Sequence, residues 1–169
     1  MSLLPILRYP DARLRRLCLS VGKPDDVVCQ LAADMLETMY AAPGRGLAAP
    51  QVGVLRRLFV IDPGWKEGAP APLVCLDPEI LDAADEEATG PESCLSIPGV
   101  PVSVARPTWV ILRWNDLEGC QQTARLSGAA AVCALHELDH LNGRLIIDLM
   151  GPDARRAAAP ALTELEGAA

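Results

Sequence analysis

The chain contains the segment His136-Glu137-Leu138-Asp139-His140, in which its two histidines stand four residues apart. Residues at this spacing lie on one face of an α-helix, so both imidazoles can reach one metal ion. Glu137 follows the first histidine and can reach a water on that metal. The alternative is a pair of partly buried histidines without a metal, but random placement would give this pattern with odds of only roughly one in a thousand. The segment therefore predicts a metal site on a helix.

The flanking residues predict where this helix begins and ends. The apolar pattern becomes helical from Ser127, which we expect to cap the N-terminus, and it stops near Asn142-Gly143. An earlier amphipathic helix is predicted to begin at 24–26, where acidic residues follow a proline, and to end at 42–44. Both helices have enough apolar residues on one face to pack into a core.

Short strands are predicted between the two helices. The runs 58–61 and 73–76 are β-like, and 109–114 is expected to form a hairpin with 121–126. Proline and glycine between these runs favour antiparallel strands over repeated strand–helix–strand units. We therefore predict an α+β fold in which antiparallel strands pack around the metal-bearing helix.

Length and composition exclude several classes of protein. A chain of 169 residues, half of them hydrophobic, suits one folded domain. No apolar run reaches the roughly 18 residues of a membrane helix, and Met1–Arg8 lacks the basic leading segment of a secretory signal. The net charge of −7 argues against a nucleic-acid surface. We expect a cytoplasmic protein with no membrane or direct nucleic-acid partner, whose six cysteines are reduced.

The third metal ligand is not determined by spacing. A catalytic zinc-type site has three protein ligands and one open position, and with no third histidine the remaining ligand is Cys, Asp or Glu. Cys94 lies upstream, and Cys133 stands three residues before His136. The downstream candidates are all acidic: Asp148, Asp153, Glu164 and Glu166.

Three segments together resemble the signature motifs of the peptide deformylase family. They are Gly44-Arg45-Gly46-Leu47-Ala48-Ala49-Pro50-Gln51, Glu92-Ser93-Cys94-Leu95-Ser96 and His136-Glu137-Leu138-Asp139-His140. Their order and spacing fit the family, and the likeness runs from Arg8-Tyr9-Pro10-Asp11 through Asp148. The resemblance implies the deformylase α+β fold. It also implies an enzyme that removes the formyl group from N-formylmethionyl peptides at the N-terminus of new polypeptides and releases formate.

The resemblance further implies a metal and its ligands. Cys94, as a thiolate, would join His136 and His140 around one divalent ion. Fe(II) is the typical metal of the family, and Zn(II), Ni(II) or Co(II) can occupy the same site.

The family's mechanism would assign roles to three more residues. Glu137 would accept a proton from a metal-activated water and pass it to the departing amine. The Leu95 backbone N–H and the Gln51 side-chain amide would hold the oxyanion together with the metal.

The substrate would lie along small and apolar residues. Gly46 lets an extended peptide approach the backbone and pair with it as an added strand, and Val132 with Cys133 would line the methionine pocket. Arg45 stands where the family normally has an aliphatic residue, and Ser93 replaces its usual glycine. Pro101 falls where many relatives carry Arg or an aromatic residue, and all three are expected to lie around the substrate channel.

Two alternatives remain open from the sequence. A metallopeptidase would use the same histidine pair with a downstream acidic ligand and would tolerate loss of Cys94. A deformylase paralogue with an altered peptide or amide substrate is suggested by Arg45, Ser93 and Pro101, which depart from the family.

The chain is predicted to form one catalytic domain over 1–150, followed by a short Ala-rich tail over 151–169. Pro160 is expected to leave only a short or broken helix in that tail. Some bacterial relatives end in a long basic helix that docks on the ribosome. This tail has only two arginines and ends in acidic residues, so we expect at most a transient ribosome contact.

Overall fold

The computed structural model describes residues 2–168. Within that range three α-helices are formed: α1 (Asp26–Ala41), α2 (Ala129–Leu141) and α3 (Pro152–Gly167). The strands are β1 (Gly46–Ala48), β2 (Leu58–Ile61), β3 (Leu73–Ala83), β4 (Glu87–Cys94), β5 (Ile97–Pro107), β6 (Trp109–Asn115) and β7 (Gln121–Ser127). Short 3₁₀ helices cover Ala12–Arg15, Ala49–Val52, Trp65–Glu67 and Ile146–Leu149. None of the helices in 2–168 is long and apolar enough to cross a membrane.

The strands form two antiparallel sheets. Five strands are ordered β1-β2-β3-β6-β7, and β4 pairs with β5 in a separate hairpin. Buried residues of α2, Ala131 and Ala134 among them, share a core cluster with Phe59, Val110 and Leu112 of the larger sheet. The helix that carries His136 and His140 therefore packs among antiparallel strands, and the predicted α+β class is confirmed.

The first helix begins where the sequence predicts. The Asp25 side chain accepts a hydrogen bond from the backbone N–H of Val28, which satisfies one of the free donors at the helix N-terminus. Met35 and Met39 are fully buried beneath the larger sheet. Their role is packing, as helical spacing of apolar residues implies.

The start of α2 differs from the prediction. Ser127 is the last residue of β7, where it pairs with Trp109, and it does not cap the helix. The N-cap is Gly128, which has φ of 55° and ψ of −130°. No side chain forms a capping hydrogen bond at this end of the helix. The expected Ser127 cap is wrong because the strand ladder continues through that residue. The sharp change of direction then falls on a glycine, which reaches positive φ without a steric cost.

The end of the chain also differs. α3 is a continuous helix of 16 residues that contains Pro160, so the expectation of a short or broken helix is wrong. Leu162 is buried in the cluster that includes Val102 and Val104 of β5, with Ala158 beside it. This burial offsets the roughly 3 kcal/mol that an interior proline costs a helix. The division at residue 150 remains a prediction.

Candidate metal centre

Two elements, β4 and α2, bring together three side chains that could bind a metal ion. The ligand atoms of Cys94, His136 and His140 all lie within 4.8 Å of one another, and the three residues are buried. One turn of α2 separates the two imidazoles, whose ring centroids are 5.0 Å apart. Cys94 is the last residue of β4, and its Sγ lies 3.2 Å from Nε2 of His140.

The donor set fits a single transition-metal ion. One sulfur and two imidazole nitrogens converge, which suits an ion bound at about 2.0–2.3 Å from each ligand. Nδ1 of His136 is hydrogen-bonded to Glu92, so its Nε2 is left for a metal. Among residues 2–168, Cys94, His136 and His140 form the one group of three or more His, Cys, Asp or Glu side chains that could hold a metal ion.

The other candidates for the third ligand lie elsewhere. Asp148 binds Arg15 and the backbone N–H of Leu145, and Asp153 pairs with Arg156. Neither joins the histidines within the described chain, and Glu164, Glu166 and Cys133 are likewise outside the group.

Glu137 occupies a buried position beside these ligands. It is 4% exposed, and its Oε2 has no hydrogen-bond partner among the described residues. Burial raises the pKa of this carboxyl group to about 7. A methyl group added at Gly46 would overlap the carboxylate, since it would lie 2.8 Å from Cδ of Glu137. Only glycine therefore leaves space for this carboxylate against β1.

A buried ion-pair network supports His136. Oε2 of Glu92 lies 2.9 Å from Nδ1 of His136, and Arg106 donates to both oxygens of Glu92. Arg106 also donates to Asp139, at 2.8 Å. Burial alone would raise the pKa of Glu92, but the hydrogen bonds with His136 and Arg106 lower it to about 2.

Arg106 was not among the residues predicted from the sequence, although a signal for it exists. Val100, Val102 and Val104 alternate with exposed residues along β5 and point inward. Arg106 occupies the next inward position of the same alternation. A charged residue in a buried register implies a buried partner of opposite charge.

Gln51 is oriented towards Cys94. It is 1% exposed, and its Oε1 accepts a hydrogen bond from the backbone N–H of Ala48 at 2.8 Å. Its Nε2 donates to Oγ of Ser96 at 3.1 Å and lies 3.6 Å from Sγ of Cys94. Leu95 follows Cys94 in the tight turn between β4 and β5.

These residues open onto a cavity of about 1020 Å³. Its walls include the five residues predicted to bind substrate, together with Gln51, Leu95 and Glu137. The five are Arg45, Gly46, Ser93, Val132 and Cys133. Pro101, the third departure expected around the channel, is an exposed residue of β5 and is not part of this wall.

Three of these wall residues have distinct environments. Burial raises the pKa of the Cys133 thiol to about 12, so it is neutral near pH 7. Ser93 is exposed, and its φ is not positive. Among the described non-glycine residues, only Asp77 has a positive φ. Arg45 is held by Glu67 and by the carbonyl oxygen of Pro63.

A Cys-His-His group that could hold an ion, an adjacent buried carboxylate and an open cavity are the features expected of a metal-dependent hydrolase. Comparison with known proteins specifies the family. Residues 3–156 match the family described as polypeptide deformylase. The peptide deformylase of Alkalilimnicola ehrlichii is 47% identical over 98% of this chain and 92% of that protein. That of Cellvibrio japonicus is 46% identical over 92% of this chain and 90% of its own length.

Solved structures agree. The peptide deformylase from Legionella pneumophila superposes with a TM-score of 0.89 at 37% identity, covering 97% of this chain and 95% of that chain. The enzyme from Ehrlichia chaffeensis, solved in complex with actinonin, gives 0.90 at 35% identity over 97% of this chain and 98% of its own. The chain therefore belongs to the polypeptide deformylase family and is an enzyme of that family.

Proposed function

We propose that this chain hydrolyses the formyl group from the N-formylmethionine that begins newly made polypeptides, releasing formate. Membership of the deformylase family supports this reaction. The observation that carries it is the convergence of Cys94, His136 and His140 within 4.8 Å, with Glu137 beside them on one cavity. The metallopeptidase alternative is not favoured, because the downstream carboxylates lie outside this group.

We propose that Cys94, His136 and His140 hold one divalent ion, with Fe(II) as the working metal. Zn(II), Ni(II) and Co(II) fit the same set, since a thiolate and two imidazoles suit all four ions. When bound, the ion would supply a Lewis acid for the formyl oxygen and allow water to act as a nucleophile near neutral pH.

Glu137 is proposed as the general base and acid. It takes a proton from the water that attacks the formyl carbon and gives it to the departing amine. A buried carboxyl whose pKa is raised towards 7 is suited to move a proton in both directions near neutral pH. Since Oε2 has no partner in the described protein, it is free to bind that proton.

Gln51 and Leu95 are proposed to stabilise the oxyanion. The Ala48 N–H fixes Oε1 of Gln51 and so directs its Nε2 towards Cys94. The backbone N–H of Leu95 would be a second donor at the same end of the cavity, because Leu95 directly follows the metal-binding cysteine. Donors held in place before the reaction stabilise developing charge without a cost of reorganisation.

The substrate is proposed to bind beside β1. This strand lies at the edge of the five-stranded sheet. It pairs with β2 on one side, and its other side has no neighbouring strand in that sheet. An extended peptide adds to such an edge through backbone hydrogen bonds, and Gly46 leaves space for it next to Glu137. Val132 and Cys133 would line the methionine pocket, while Ser93 would form part of its wall.

We further propose that the enzyme acts in the cytoplasm, where polypeptides are synthesised, with at most a transient ribosome contact. α3 carries Arg155 and Arg156, but also Asp153, Glu164 and Glu166. Such a mixed helix has little net attraction for ribosomal RNA.

Formate release separates these proposals. Wild-type protein loaded with Fe(II) or Ni(II) should release formate from formyl-Met-Ala-Ser and leave the N-acetylated peptide intact. Glu137→Gln should keep its metal and lose formate release, while Glu79→Gln, which changes an exposed carboxylate, should behave as wild type. Equal hydrolysis of the acetyl peptide would support the altered-substrate paralogue, and cleavage of internal peptide bonds would support a metallopeptidase.

A further inference from the structure

The charged residues around the cavity are segregated by sign. Five residues that carry a formal charge line it, and the two acidic ones, Glu92 and Glu137, are buried at the metal centre. The other three are Arg8, Arg45 and Lys66, all basic. The whole chain carries 22 acidic against 15 basic residues. Apart from the two buried glutamates, the charged residues of the cavity wall are therefore all basic, whereas the protein as a whole is acidic.

Two of these cations are held in place by the protein. Three consecutive residues of the 65–67 turn bind three consecutive residues before β1. The indole N–H of Trp65 donates to the Gly44 carbonyl at 2.7 Å, and Nζ of Lys66 donates to the carbonyl of Pro43. Glu67 accepts two hydrogen bonds from Arg45. Arg45 is thereby fixed in the segment that leads into β1, and Lys66 is fixed against that segment.

The position of Arg45 links this charge to the reaction. It directly precedes Gly46, the residue that touches the Glu137 carboxylate. Consecutive Cα atoms are about 3.8 Å apart, so the Arg45 backbone lies one residue from the place where the formyl group would react. Glu67, its counter-ion, is not part of the cavity wall. Arg45 is therefore the member of this ion pair that a peptide in the cavity would contact.

We propose that Arg8, Arg45 and Lys66 form a subsite for carboxylate side chains in the residues that follow formylmethionine, so that the enzyme prefers nascent chains with Asp or Glu at positions two and three. The inference rests on the proposed deformylase function and adds a selectivity to it. A peptide bound as an added strand on β1 would place these residues along the segment that carries Arg45. Exposed charges at such a site act mainly through selectivity and association rate, and the effect weakens with salt.

The test uses C-terminally amidated peptides, formyl-Met-Xaa-Ala-Ser and formyl-Met-Ala-Xaa-Ser, in which Xaa is Glu, Gln or Lys. Amidation removes the terminal carboxylate, the other source of the same chemistry, and free-acid peptides measure that source separately. At low salt, kcat/KM should be highest for the Glu peptide, intermediate for the Gln peptide and lowest for the Lys peptide. The ratio of kcat/KM for Glu to that for Lys should be about fivefold or more. The ratio should fall towards about one at 0.5 M KCl, because screening shortens the reach of exposed charges.

The chain contains a closely matched control for Arg45. The Arg45–Glu67 pair has side-chain exposures of 35% and 59%, and the Arg113–Glu79 pair, away from the cavity, has 37% and 58%. Arg45→Gln should reduce the Glu-to-Lys ratio at least about twofold, whereas Arg113→Gln should leave it unchanged. Glu67→Gln removes the counter-ion and should raise the ratio, an effect in the opposite direction that general damage to the fold would not produce.

Three results would overturn the subsite. They are a Glu-to-Lys ratio near one in the wild type, a ratio that survives Arg45→Gln, and an equal fall in Arg45→Gln and Arg113→Gln. Each leaves the deformylase proposal intact as long as the neutral Gln peptide releases formate. Absence of formate from all three peptides would instead contradict the proposed function itself.

Discussion

Glu92 and His136 are joined by a buried hydrogen bond of 2.9 Å between Oε2 and Nδ1. Because Nδ1 is held in this way, the imidazole presents Nε2 to the sulfur of Cys94 and the ring of His140, the atoms proposed to share a metal ion with it. Arg106 binds the same carboxylate through two donors and so keeps it ionised. Glu92 and His136 thus link β4, the strand that ends at Cys94, to α2, the helix that carries both histidines.

Replacing this carboxylate should weaken metal binding. Both oxygens of Glu92 accept hydrogen bonds, so in Glu92→Gln the negative charge is lost and the NH₂ group must face a donor, either Nε of Arg106 or Nδ1 of His136. We expect metal affinity to fall about 10- to 100-fold, measured by competition with a chelator. Glu79→Gln is the control, since Glu79 forms an exposed pair with Arg113. Unchanged affinity in Glu92→Gln would show that the network does not position the ligand.

Gly46→Ala should impair the reaction without removing the metal. Its methyl group would overlap the Glu137 carboxylate and displace it. A displacement of about 1 Å in a reacting group costs about 100-fold in rate, so we expect a loss of that order in kcat with normal metal content. Gly90→Ala is the matched control, because a methyl group there meets no atom within 4 Å. Full activity in Gly46→Ala would contradict the proposed position of Glu137 during turnover.

Ser93→Gly should change selectivity more than stability. Ser93 has no positive φ, so glycine relieves no backbone strain, and the melting temperature should stay level or fall slightly. Since the side chain borders the cavity, its removal should raise kcat/KM for formyl-Met over formyl-Leu peptides. Ser103→Gly, at an exposed position of β5, controls for the loss of a serine in a strand. A raised melting temperature with unchanged selectivity would contradict this prediction.

The iron-loaded enzyme should lose activity in air. Cys94 lines the cavity, so oxidants could reach its sulfur and an Fe(II) ion bound beside it. Catalase or a reductant should slow the decay, and the Ni(II)-loaded form should persist under the same conditions. The measurement is the half-life of formate release in air for each metal form. Equal half-lives would argue against iron as the labile working metal.

Much of the architecture could be predicted because its signals are local. Asp25 caps α1 as its position implies. Strands β6 and β7 begin at the predicted residues, and each ends one residue later than predicted. Spacing alone was also sufficient to place His136 and His140 on one helix face. The α+β class follows from these elements.

The remainder depends on long-range contacts. Spacing could not distinguish Cys94 from the acidic candidates, because that choice depends on how the β4–β5 hairpin meets α2. The alternation that buries Arg106 indicates a buried residue only once 97–107 is taken as a strand, which was not predicted from the sequence, and its partner Glu92 lies 14 residues away on β4. Pro160 was given too much weight, since the local cost of proline is outweighed by the burial of Leu162 on β5. Local propensity predicts elements, whereas packing determines which of their residues meet.

The metal content of Cys94→Ala, purified without added metal, tests the proposed centre most directly. Cys133→Ala is the control, because Cys133 lines the same cavity but lies outside the group of ligands. We predict about one ion per chain in the wild type and in Cys133→Ala, and almost none in Cys94→Ala, since two histidines alone bind a divalent ion weakly. A Cys94→Ala protein that retains its full metal would contradict the assignment of Cys94 as the third ligand.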